Sequence, residues 1–186
     1  IAVARFMRAF NYMFLTTFYG DVPLITAPLS SFDEFSQPRT PVSEIYQKII
    51  EDFSFAKENL TRDGNGYTGM PTRATGAAYL AKAYLYNKDF VNAEQAAREA
   101  IQIAESDGYY LIDDYESIFS IDNEQNPELL FYFAFERNSG LKGVMVGDIV
   151  CLLAAFMMRM KRMILVVNIL CIIKVLYSAH ILHPLP

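Results

Sequence analysis

Two residues in the loop TRDGNGYTGMPT, Asn65 and Tyr67, have the types and spacing that could hold a small polar ligand. A tyrosine ring offers a flat apolar face, a planar amide both donates and accepts, and a glycine-rich loop can hold the two in the open on a rigid scaffold. The same residues also fit a solvated turn with one packed tyrosine. Candidates for catalysis are poorer. The only histidines, His180 and His183, stand near the C-terminus, so no Ser/His/Asp or Cys/His arrangement can be drawn with the rest of the chain. The adjacent acids Asp113 and Asp114 read as solvated loop carboxylates rather than an acid/base pair. Cys151 and Cys171 lie in apolar runs without metal-ligand spacing and read as small buried hydrophobes. Neither catalysis, a metal nor a cofactor is expected.

Arg5, Arg8 and Tyr12 share one helical stripe. In a helix this apolar, pairing with acids of a neighbouring helix accounts for them better than ligand binding does. The formal charge of −5 argues against a nucleic-acid surface, which needs a clustered excess of Lys and Arg.

The elements that must position these residues are helical. Residues 2–19 read as one helix, with apolar residues from Phe6 to Phe18 round most of its circumference, as in a helix buried among others; Gly20 stops it. Residues 26–39 carry the Pro and Ser punctuation of a surface loop. A second helix begins at Thr40 as cap, with Pro41 first and Glu44 in the first turn, and its stripe is Val42, Ile45, Ile49, Phe53, Ala56 and Leu60. Residues 73–105 form two helices joined near Asn87–Asp89, with Asp89 as the second cap. Their Leu80-Ala81, Tyr84, Phe90, Ala93, Ala97, Ala100 spacing is that of a tetratricopeptide-type hairpin. YYLIDDYESIF predicts a short extended piece and one helical turn, and NPELLFYFAF a strand or buried extended segment. The fold class is therefore all-α: tetratricopeptide-like helical hairpins with long loops.

Composition breaks near Asn138. Residues 1–138 hold 20 acidic and 11 basic side chains, a net charge of −9, whereas residues 139–186 hold one acid, Asp148, and five bases, a net charge of +4. Two units follow: a helical domain, 1–138, and an apolar, basic, helical tail, 139–186. Val144–Met158 and Met163–Ile173 are each shorter than the roughly 20 residues a spanning helix needs. Three origins compete for the tail: a misread frame or mis-joined gene fragment, a membrane hairpin, and a helix replacing a lost half-domain. The sudden loss of acids, five of the eight methionines and the lack of caps favour the first.

The run RFMRAFNYMFLTTFYGDVPLI resembles the signature helix of SusD/RagB proteins, with its Arg-aromatic-x-Arg-Ala start and Gly-Asp-Val-Pro-Leu end. Arg39, Pro41, Val42, Ile45, Tyr46 and Asp52 resemble the next helix, Arg73, Ala74, Gly76, Leu80, Ala81 and Tyr84 the repeat hairpin, and Tyr109, Leu111, Tyr115, Asn126 and Glu128 continue the pattern. The resemblance spans roughly residues 3–136 and implies a non-catalytic Bacteroidetes surface protein on the outer membrane. Such a protein captures oligosaccharides or related nutrients for a SusC-like TonB-dependent transporter and is held by a lipidated N-terminal Cys that this sequence does not contain. With no initiator Met or signal sequence before IAVARFMRAF, the native N-terminus is expected to be missing, and most of the ligand surface to lie beyond this chain. On the implied chemistry, Tyr67 would stack on a pyranose face and Asn65 would bind its hydroxyls. The rival reading is a tetratricopeptide-like adaptor for a protein or peptide, anchored to a membrane by the tail.

Overall fold

The computed structural model describes residues 1–31, 34, 36–67, 69–120, 123 and 126–132. The tail from 139, the break near Asn138, both cysteines and both histidines lie outside the described residues, as does the end of NPELLFYFAF. No described helix is long and apolar enough to cross a membrane.

Among the described residues four helices follow one another: α1 (Ala2–Tyr19), α2 (Val42–Asn59), α3 (Arg73–Tyr86) and α4 (Phe90–Asp107). Gly20 ends α1 with φ +68, a conformation that costs glycine little. Phe6, Phe10 and Met13 of α1 meet Ile45, Ile49 and Phe53 of α2 in one core, all of them buried. Each such side chain contributes roughly 1.5–3 kcal/mol by leaving water. Phe6 is the hub: its ring stands 5.4 Å edge-on from Phe53, Tyr79 and Phe131 alike. The α2 stripe read from the sequence is the buried one. Phe18, read from the sequence as part of the buried circumference of α1, is instead 69% exposed, and Tyr19 beside it 70%. Apolar residues mark faces able to pack without saying how many neighbours are present.

The start of α2 also differs from expectation. Thr40 does not cap it: its hydroxyl accepts from the Leu24 amide at 3.3 Å, and Pro41 precedes the first helical residue, Val42. The Val42 amide instead donates to Asp21 Oδ1 at 2.9 Å, across 21 positions. Val22 and Thr40 form an antiparallel bridge beside it. The Gly20–Asp21 corner therefore stops one helix and caps the next.

The α3 start carries a capping box, with Thr72 and Thr75 side chains each accepting from the other's amide. Thr75 Oγ1 also donates to the Leu130 carbonyl at 2.7 Å, tying residues 126–132 across this end of α3 without strand pairing. Gly76 lets α3 lie against α2, since a Cβ there would sit 2.7 Å from the Lys57 nitrogen. Alanines 93, 97 and 100 give α4 the same close approach to α3. Asp89 caps α4 through the Asn92 amide, and Gly108, at φ +91, ends it. The predicted turn after Asp114 is a 3-10 turn at Ser117–Phe119.

Candidate functional site

The loop between α2 and α3 is wound turn upon turn. The Arg73 amide closes its base on the Thr61 carbonyl at 3.1 Å. Inside, the Asn65 amide is held by Thr61 Oγ1 at 2.9 Å and Asp63 Oδ1 at 3.1 Å, which places Asn65 at φ +59, the left-handed region that asparagine tolerates. Gly69, at φ +82, packs its bare Cα against Tyr132; a Cβ would lie 3.2 Å from the Tyr132 carbonyl oxygen.

This winding carries Tyr67, 71% exposed, to the rim of a cleft of about 260 Å3. The remaining walls include Asp63, Thr72, Tyr109, Asn126 and Tyr132. Tyr109 OH lies 3.4 Å from Thr72 Oγ1, and the buried Asn126 side chain is fixed by the Asn123 carbonyl and the Glu128 amide. Burial pushes the Tyr132 phenol above the ordinary tyrosine range. Of the two residues singled out in the sequence, Tyr67 lines the cleft and Asn65 does not; Asn65 shapes the loop. Sequence reasoning missed Asp63, which stands two residues before Asn65, and it read Tyr109 and Asn126 only as scaffold positions.

Tyr109 and Leu130 are shared with a second, apolar cleft of about 190 Å3, floored by Ala78 and Ala100 and edged by Glu128. Glu128 Oε2 is buried without a hydrogen-bond partner among the described residues. Burial pushes this carboxyl above the ordinary glutamate range, against a smaller opposing effect from the Ile112 amide. The folded chain thus keeps the Glu128 proton to higher pH than the unfolded chain does. Stability is unaffected below the ordinary glutamate pKa and is lost as pH rises from there through the folded value. Glu128→Gln is expected to leave the unfolding midpoint unchanged near pH 4 and to raise it at pH 7, as thermal melts at the two pH values would show.

The other chemistry-bearing residues are structural. Arg8 makes a two-pronged pair with Asp52, at 2.7 and 2.9 Å, and donates to the Thr26 carbonyl. Arg5 lies 3.8 Å from Glu51 and over the Phe55 ring. Tyr12 OH accepts from the Ile25 amide at 2.6 Å. The whole stripe fastens α1 to α2 and to the segment after Gly20. Asp114 caps a turn through the Glu116 amide. Arg62 and Arg73, which flank the loop, both reach Asp107, whose side chain is fully buried. Among the described residues no group of three or more His, Cys, Asp or Glu could hold a metal ion.

Residues 2–85 match a SusD-like family model described as starch-binding, associating with the outer membrane. A SusD-like protein, P2, of Formosa agariphila is 37% identical over 119 residues, which are 63% of this chain and 23% of that protein. The crystal structure of a SusD-like protein from Bacteroides fragilis superposes with a TM-score of 0.65 at 27% identity, over 74% of this chain and 27% of that one. A laminarin-binding SusD-like protein superposes with a TM-score of 0.63 at 28% identity, over 70% of this chain and 29% of that one. The chain spans about a quarter of the length of the relatives it matches.

Proposed function

Because this chain belongs to the SusD/RagB family, we propose that it is part of a non-catalytic glycan-binding protein of the outer membrane. Exposed at the cell surface, it captures oligosaccharides and passes them to a SusC-like TonB-dependent transporter. The observation that carries the reading is the family match itself, which falls on the residues that build the helical scaffold. Support for a glycan as ligand comes from the laminarin-binding relative and from another solved relative described with a xylogluco-oligosaccharide. Within this chain, Tyr67 and Asn65 are the proposed contribution, Tyr67 by offering its ring to a pyranose face and Asn65 by setting the loop that presents it.

A glycan array probed with the full-length protein that contains this chain tests this reading. Retention by a defined set of oligosaccharides is expected, and a blank array with folded full-length protein overturns it. Capture of a peptide in place of a glycan would favour the adaptor reading.

A further inference from the structure

Resting on that glycan-binding reading, we infer that the cleft below the loop is a subsite for one uncharged pyranose ring, walled by Tyr67, Tyr109 and Tyr132 and offering Asp63 and Asn126 to its hydroxyls. At about 260 Å3 the cleft falls below the roughly 300–1,000 Å3 of sites for drug-sized ligands, which suits a single ring rather than a stretch of chain. Three tyrosines and a carboxylate match the two sides of a pyranose. Its C–H faces need flat apolar walls, and its hydroxyls need acceptors.

The walls are also set before any ligand arrives. Gly69 holds the loop against Tyr132, the Thr75–Leu130 hydrogen bond holds residues 126–132 on α3, and Asn126 is fixed by two bonds of its own. A site already ordered loses less entropy on binding. The backbone N–H of Asn65 donates to Asp63 Oδ1 and so aims the carboxylate.

Charge decides the class of ring. The named walls bring one carboxylate and no cation, and the two arginines flanking the loop are drawn onto Asp107. A uronic acid or sulfated ring would meet Asp63 with no cation among the described lining residues to offset the repulsion.

Calorimetric titration of the whole chain with a neutral oligosaccharide, and with a uronate-bearing one of equal length, tests the subsite. Wild type is expected to bind the neutral ligand about tenfold more tightly. Asp63→Asn, at an exposed position that keeps its Oδ1 acceptor, is expected to close most of that gap. Tyr109→Ala, with its helical circular dichroism intact, is expected to weaken neutral binding by about tenfold. Equal wild-type affinity for the two ligands overturns the inference, as does neutral binding that survives Tyr109→Ala in a folded chain. A wild type that binds neither ligand overturns the subsite, and the array on the full-length protein then decides the glycan reading separately. Should Tyr109→Ala fail to fold, Asp63→Asn alone decides: an unchanged preference for the neutral ligand overturns the charge argument.

Discussion

Arg8→Met is expected to lower the free energy of unfolding by about 3–5 kcal/mol, the usual cost of leaving one member of a buried ion pair alone. Asp52 is the reason: its side chain is 1% exposed, whereas that of Arg8 is 26% exposed. Removing the arginine takes away two short hydrogen bonds and leaves the carboxylate with Lys48 Nζ, at 3.9 Å, as its remaining ion-pair partner among the described residues. It also frees the Thr26 carbonyl and loosens the segment between α1 and α2. The loss should be smaller for Asp52→Ala, since the guanidinium can swing into water. The double variant Arg8→Met/Asp52→Leu should recover most of it, because buried pairs replaced together by apolar groups are often neutral. Urea unfolding of the four proteins measures all of this. Equal losses in both single variants would show that the pair is held at the surface rather than in the core.

Gly76→Ala carries the second largest effect, and its sign is the informative part. On helix propensity alone the change should stabilise by up to about 1 kcal/mol. Here the new Cβ would stand 2.7 Å from the Lys57 nitrogen, 3.0 Å from its Cα and 3.1 Å from the Ala56 carbonyl carbon. These are backbone atoms, so no rotamer change relieves the clash and α2 and α3 must separate. Separation strains the Phe53–Tyr79 contact at 5.5 Å and the Lys57–Glu99 pair at 2.8 Å. A net loss of about 1–3 kcal/mol is expected, in the range of overpacked cores. A gain in unfolding free energy would mean that the two helices lie further apart than described.

The helices were legible because their signals are local and periodic. The α2 stripe from Ile45 to Leu60 is the buried face, and Asp89 caps α4 as its type predicts. The structural use of Arg5 and Arg8 was legible too, since an arginine within so apolar a helix needs an acid nearby. The cap of α2 was not. Local rules select Thr40, whereas the donor's partner, Asp21, arrives through the tertiary fold and leaves Thr40 free to receive Leu24. The cleft was legible only at its rim. Tyr67 stands out in a glycine-rich loop, but Tyr109, Asn126 and Tyr132 come from positions 42 to 65 residues further along and converge only when the 126–132 segment is bonded across α3. Their sequence neighbourhoods carry no sign of that meeting.

The proposed function divides the labour, with the family motifs holding the scaffold and Tyr67, exposed at the rim of the cleft, proposed to meet the glycan. Tyr67→Ala, examined for stability and for affinity toward an oligosaccharide retained on the array, measures that division directly. An unfolding free energy within about 0.5 kcal/mol of wild type is expected, as for an exposed side chain, with an affinity lower by about tenfold. Unchanged affinity in a folded Tyr67→Ala chain would contradict it.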